Sequence, residues 1–192
     1  EEKEKKWISM ARESDKRGND FFDTTATTEI YPLSLPDALP VSQIDRYGNL
    51  NSPFIGDPKN PAIRLPGTGG GNDISSLTQM IVSMKHEKRR FVDKVDFITS
   101  PGFLSGGSTR ADSGLVSGGM YRVVTDLAIM DFDDETREMK VSALHPGVTA
   151  EQVHDNTGFD IRIDDDVETT EPPTKTELEV LRHLDPEQLY IA

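Results

Sequence analysis

The run Leu65-Pro66-Gly67-Thr68-Gly69-Gly70-Gly71-Asn72-Asp73 sets four glycines within five positions. Glycine enters positive φ without steric penalty and leaves the main chain bare, so peptide N–H groups can face a ligand at close range. A loop of this kind suits an oxyanion or a phosphate. Asp73, Ser75 and Ser76 are helix-capping residue types, and Ile74 and Leu77 begin an apolar face behind them. A turn that serves only packing has the same composition. No Lys-Ser/Thr pair follows the glycines, which argues against nucleotide hydrolysis.

A second constellation is Gln43-Ile44-Asp45-Arg46-Tyr47-Gly48-Asn49-Leu50-Asn51, which gathers amides and a carboxylate around a tight turn. Ligands of open α/β sheets bind at the carboxyl ends of strands, where this turn is expected. Asn and Asp also stabilise turns through their own backbone, and each residue taken singly fits that role. His86, Lys88, Arg89 and Arg90 offer a third group suited to phosphate, with a solvated basic face as the alternative. His145, His154 and His183 lack metal-ligand spacing.

These groups need elements to hold them. Val41 to Asp45 reads as a strand end turning at Tyr47-Gly48-Asn49, and the glycine loop leads into a short helix. Strands are expected at Met80 to Met84 and at Phe91 to Thr99, the latter ending at Pro101-Gly102. After a Gly/Ser-rich loop, Tyr121 to Phe132 is a nearly continuous apolar run that predicts one strand covered on both faces. Asp133 to Thr136 makes a turn, and Met139, Val141 and Ala143 alternate along the returning strand. Thr149 and Gln152 form a capping box for a helix through His154, with Gly158 expected to close it in a left-handed conformation. Phe159 to Ile163 reads as a strand and Asp164-Asp165-Asp166 as a solvated turn. Thr174 and Glu177 open a last helix through His183, stopped at Asp185-Pro186, and Leu189, Tyr190 and Ile191 could dock as an apolar tail.

The 192 residues suffice for one well-cored α/β domain. With 21 basic against 34 acidic residues the net charge is −13, which disfavours nucleic acid and anionic membranes as partners. The absence of cysteine excludes disulfides, thiolate metal sites and a thiol nucleophile. No apolar run is long enough to span a bilayer, so a cytoplasmic protein is expected.

Residues 1–41 have a different character. Glu1 to Lys6 is a charge run, and Pro32, Pro36 and Pro40 recur where neither helix nor central strand fits. Thr25-Ala26-Thr27-Thr28-Glu29-Ile30-Tyr31, Leu33-Ser34-Leu35 and Asp37-Ala38-Leu39-Pro40 resemble the conceptual translation of a common short-read sequencing adapter. Residues 1–41 are therefore expected to be a leader of foreign origin, poorly ordered, with a domain of 42–192 following. A proline-rich linker is the alternative.

From Gln43 onward the chain resembles the second subunit of glutaconate coenzyme A transferase, among the family I coenzyme A transferases. The resemblance rests on Gln43-Ile44-Asp45, Gly48-Asn49 and Asn51, Ile55-Gly56-Asp57, Arg64, Gly67-Thr68-Gly69-Gly70 with Asn72, and His86 to Phe91. It continues through Thr99-Ser100-Pro101-Gly102, Val124-Thr125-Asp126, Asn156-Thr157-Gly158-Phe159 and Asp185-Pro186. It implies a three-layer α/β/α domain, N-terminally truncated here, that pairs with a first (alpha) subunit in a heterotetramer or larger assembly. Coenzyme A would be a co-substrate rather than a resident cofactor, exchanged between an acyl-CoA and a small carboxylic acid. Gly67, Gly69, Gly70 and Asn72 would bind CoA or the oxyanion, and Gln43, Asp45, Asn49 and Asn51 would line the substrate pocket. In that family a second-subunit glutamate, followed by glycine, attacks the thioester from a position upstream of the Gln43 motif. Glu13 is followed by Ser14-Asp15, so the role does not transfer and no catalytic residue is identified. The resemblance thus implies an inactive chain on its own. A CoA-thioester ring-opening hydrolase of the same fold and a noncatalytic assembly subunit are the other readings.

Overall fold

The computed structural model describes residues 42–115 and 117–187. The adapter-like leader and the apolar tail at Leu189, Tyr190 and Ile191 lie outside them. The described chain falls into two units, one running to Thr169 and one from Thr170 onward.

The first unit forms the expected α/β arrangement. Two small antiparallel pairs come first: β1 (Gln43–Ile44) with β2 (Leu50–Asn51), then β3 (Phe54–Asp57) with β4 (Asn60–Arg64). A five-stranded sheet follows in the order β5 (Gln79–Ser83), β6 (Gly119–Val124), β7 (Ala128–Phe132), β8 (Met139–Leu144), β9 (Arg162–Thr169). The outer pairs β5/β6 and β8/β9 are parallel and the inner pairs are antiparallel. The helices are α1 (Gly71–Leu77), α2 (Thr109–Asp112) and α3 (Ala150–Asp155). Ile44, Phe91, Val123, Met130, Met139, Val141, Val153 and Ile161 fill a single core. The second unit contributes α4 (Lys175–Leu184). No helix among the described residues is long and apolar enough to cross a membrane.

Both capping boxes form as expected. Thr149 accepts from the Gln152 N–H and Thr174 from the Glu177 N–H, while each partner side chain returns a bond to the cap backbone. Other expectations fail for physical reasons. The apolar run from Tyr121 to Phe132 is two antiparallel strands, not one. Thr125 breaks it, its Oγ1 accepting from the N–H groups of Leu127 at 3.2 Å and Ala128 at 3.0 Å. Phe91 to Thr99 is not a strand: it meets β1 and β2 at its two ends, through the isolated bridges Ile44–Phe91 and, one residue on, Leu50–Ser100, with Val92 N–H donating to the Ile44 carbonyl and Thr99 N–H to the Leu50 carbonyl. Side chains replace its ladder, with Asp96 N–H donating to Gln43 Oε1 and its carboxylate accepting from Gln43 and from Gly56 N–H. Asp164 to Asp166 is no turn; it continues β9, an edge strand whose charged side chains stay in solvent and deter further pairing.

Gly158 does not close α3 in a left-handed conformation. The helix ends at Asn156, and Gly158 instead donates its N–H to the Phe91 carbonyl at 2.7 Å. A Cβ there would lie 2.3 Å from the Phe91 oxygen. Gly158→Ala is accordingly expected to destabilise the domain by about 2 kcal/mol, as overpacked interiors do. A urea unfolding curve checks this; a midpoint equal to the native one would contradict it.

Candidate functional site

Gly67 and Gly69 have φ of 105° and 53°, so the backbone itself requires glycine at both. Gly70 does not: its φ of −79° is open to any residue. Yet a Cβ on Gly67, Gly69 or Gly70 would meet no atom within 4 Å. These three positions border free space rather than packed protein. Gly71 differs, since a Cβ would sit 2.4 Å from Thr68 Oγ1. Among the described residues no acceptor faces the N–H groups of Gly69 and Gly70, and both glycines are exposed. The expected side-chain caps do not form. Gly70 occupies the cap position of α1 with no side-chain bond, and Ser75 and Ser76 donate their hydroxyls back to the Asn72 carbonyl. Exposed Asn72 donates Nδ2 to the Thr99 carbonyl at 2.9 Å.

Gln43, Asp45, Asn49 and Asn51 are brought together in two buried networks. Asp45 Oδ1 accepts from Tyr47 N–H and Asn49 N–H, each at 3.0 Å, and both of its oxygens accept from Asn49 Nδ2. Asn49, 0% exposed, also donates to the Leu104 carbonyl and accepts from Gly102 N–H at 2.9 Å and Leu104 N–H at 3.1 Å. Asn51 Nδ2 donates to Gln43 Oε1 and to the Phe54 carbonyl, both at 2.7 Å. Asn51 Oδ1 is buried without a hydrogen-bond partner among the described residues. Burial raises the Asp45 carboxyl above its ordinary value, and the bonds from Asn49 and Tyr47 oppose that rise.

The segment Thr99 to Gly102 joins the amide bend to the glycine loop. Ser100 Oγ lies 3.0 Å from Thr68 Oγ1, Thr99 Oγ1 accepts from Ser52 N–H, and Leu50 N–H donates to the Ser100 carbonyl. Gly102 is glycine because a Cβ would lie 2.4 Å from the Tyr47 carbonyl oxygen. Sequence reading registered Thr99 to Gly102 as a motif but gave it no role. It missed Arg110 altogether. Arg110 is buried, and its guanidinium donates to the carbonyls of Ser75, Pro101, Gly102 and Ser117. Its side-chain N–H groups, set in a loop of small residues, were the only signal available.

The basic segment does not assemble into a phosphate grip. His86 is 4% exposed and stacks on Phe91, with ring nitrogens 3.1 Å from Thr125 Oγ1 and 3.0 Å from Thr157 Oγ1. Arg89 and Arg90 both turn to Glu87, whose carboxyl is held below its usual range chiefly by Arg89. His145 is a buried structural residue bonded to the Thr125 carbonyl, and His154 and His183 are exposed. No cluster of metal-binding side chains exists among the described residues.

The model of the family described as coenzyme A transferase matches residues 41–156. The chain is 45% identical over 148 residues to the second (beta) subunit of 3-oxoadipate CoA-transferase from Pseudomonas knackmussii, covering 77% of this chain and 57% of that one. It is 41% identical over 151 residues to the corresponding subunit of glutaconate CoA-transferase from Acidaminococcus fermentans, covering 78% and 57%. The crystal structure of that glutaconate enzyme superposes with a TM-score of 0.75 over 79% of this chain and 58% of the matched chain. The IpdB subunit of the cholesterol ring-cleaving hydrolase from Mycobacterium tuberculosis is 36% identical over 151 residues, covering 77% and 59%. The chain thus spans less than two thirds of the length of these relatives. From Gln43 through the sheet, in sequence and in backbone course, it belongs to the coenzyme A transferase family.

Proposed function

We propose that this chain is part of the second subunit of a CoA transferase of the glutaconate or 3-oxo acid type, working with a first (alpha) subunit in a heterotetramer or larger assembly. The observation that carries the reading is the open glycine loop. At Gly70 the fold makes no demand for glycine, and the space beside it is kept clear. A ligand that approaches the bare main chain accounts for both facts.

In this reading the N–H groups of Gly67, Gly69 and Gly70 stabilise the oxyanion formed when a carboxylate attacks the acyl-CoA carbonyl. Each well-aimed donor contributes roughly 3 kcal/mol. A glutamate supplies the attacking oxygen, the C–S bond breaks and CoA leaves as thiolate. The thiolate then attacks the glutamyl carbonyl of the mixed anhydride, which frees the first acid and leaves a glutamyl-CoA thioester. The acceptor carboxylate repeats both steps in reverse and departs as the new CoA ester. CoA is a co-substrate throughout, and a cytoplasmic location follows from the reading. Gln43, Asp45, Asn49 and Asn51 shape the substrate pocket by fixing the bend behind the loop. Asn72 holds the loop against Thr99. The family's nucleophilic glutamate precedes a glycine upstream of the Gln43 motif, and no glutamate in residues 1–42 is followed by glycine, so in this reading the present chain is inactive alone.

The hydrolase reading has support in the IpdB relative, at lower identity than the two transferases. A noncatalytic assembly role is the third reading, and a binding test separates it from the first. Gly70→Ala is expected to leave the melting temperature unchanged while weakening CoA binding about tenfold or more, a loss of ~1.4 kcal/mol or more. Titration calorimetry with CoA on the full chain checks it. Equal affinity in the variant would remove the loop from the site.

A further inference from the structure

We infer that Arg110 is a positioning residue that sets the aim of the Gly67–Gly70 amides by clamping the far end of α1 to the Thr99–Gly102 segment. The inference rests on the reading of that loop as the CoA cradle.

Arg110 lies on the single turn α2 and is 6% exposed. A buried guanidinium ordinarily meets a carboxylate, since an unpaired charge away from water is costly. Here the partners are all main-chain carbonyls. Nη2 donates to Ser75 at 2.7 Å and to Ser117 at 2.5 Å, and Nη1 to Pro101 at 3.0 Å and Gly102 at 2.8 Å. Nε donates to Ser117 at 3.2 Å, and Nη2 also lies 3.4 Å from the Ser76 carbonyl. Burial lowers the tendency of Arg110 to hold its proton, yet arginine stays charged at any working pH. Three segments distant in sequence are therefore tied by one planar cation. Gly118 leaves room for it, since a Cβ there would lie 2.9 Å from Nη2.

Helix α1 needs such a tie. Its seven residues are too few for independent stability, no side chain caps its start, and no basic residue stands in its own last turn. The carbonyls of Ser75 and Ser76 belong to its last turn, where helices leave acceptors unpaired and the macrodipole is negative. Arg110 answers both. At the opposite end Asn72 bonds the Thr99 carbonyl and Thr68 meets Ser100. Both ends of α1 are thereby fastened to the same four residues. Gly67, Gly69 and Gly70, just ahead of α1, have open space beside them, so their direction is borrowed from α1 and that segment.

Arg110→Gln and Arg110→Lys in the full chain test the inference, read by amide hydrogen exchange and by calorimetric titration with CoA. In Arg110→Gln, amides of residues 67–77 are expected to exchange about tenfold faster while those of β6, β7 and β8 stay within about twofold of native. CoA affinity should fall about tenfold, with Arg110→Lys between the two because it keeps charge but not the planar fork. A uniform rise in exchange across the sheet, or unchanged CoA affinity in Arg110→Gln, overturns the inference. Should Arg110→Gln fail to fold, Arg110→Lys carries the same contrast between residues 67–77 and the sheet, read in the same two ways. Native protein that ignores CoA sinks the cradle reading, and the local exchange contrast then decides the clamp alone.

Discussion

Asn49→Ala is expected to cost about 4 kcal/mol of folding free energy, because several buried groups lose their partner together and each costs ~1–3 kcal/mol when unmet. Gly102 N–H, Leu104 N–H and the Leu104 carbonyl all bond to this one side chain, and Asp45 loses a donor on each oxygen. Domains of this size are stable by only about 5–15 kcal/mol, so the loss should be visible as a large drop in the urea midpoint. CoA binding should fall with it, since Gly102 belongs to the segment that holds the glycine loop. A variant within about 1 kcal/mol of native would refute the account of the bend.

Asn49→Asp sharpens the test through pH. It keeps an acceptor for Gly102 and Leu104 but sets a second carboxylate against Asp45, whose carboxyl burial already raises. The folded pair then binds a proton that the unfolded chain releases at a lower pH, near 4. Stability of Asn49→Asp should therefore be greatest below the unfolded value, about 4, and be lost as pH rises through the raised folded value. Denaturation midpoints of this variant across the acid range, set against native protein, read the effect. A flat difference would contradict it.

The second large effect concerns turnover. Mixed with a first subunit of the family, the present chain is expected to transfer no CoA above background. A subunit of the relatives' full length, with a glutamate upstream of the Gln43 motif, should exceed it by about 10⁴-fold or more, the scale of removing a covalent nucleophile. Coupled spectrophotometry of CoA exchange measures the ratio, and borohydride trapping reports the acyl-enzyme directly. A trapped glutamyl-CoA adduct on the present chain would overturn the assignment. Formation of a stable complex without turnover is the expected companion result, and failure to form any complex would count against the partner proposal.

Local rules carried a good part of this protein. The two capping boxes, the alternation of Met139 and Val141 (it ends before half-buried Ala143, where Leu144 is buried instead), and the backbone demand at Gly67 and Gly69 each depend on residues a few positions apart. The ordered series of short motifs from Gln43 to Asp185-Pro186 was enough to point to the family. Apart from the local turn at Thr125, what failed was decided at a distance. Thr125 splits an apolar run because its hydroxyl meets the Leu127 and Ala128 amides, while His86 and His145 converge on it from either side. From its basic neighbours His86 suited either a phosphate contact or a solvated face, yet Thr157, 71 residues on, and the Phe91 ring draw it inward. Asp164 to Asp166 is carried in β9 between two stretches paired to β8, Arg162–Ile163 before it and Glu168–Thr169 after it, which no acidic triplet reveals. Arg110 had no local pattern, since all its partners are carbonyls and every residue supplies one. Sequence by itself determined the family and the glycines that bare the main chain, because those follow from side-chain type and spacing. Only the tertiary structure decided which polar groups face a ligand and which hold the wall behind it, because that depends on partners far along the chain.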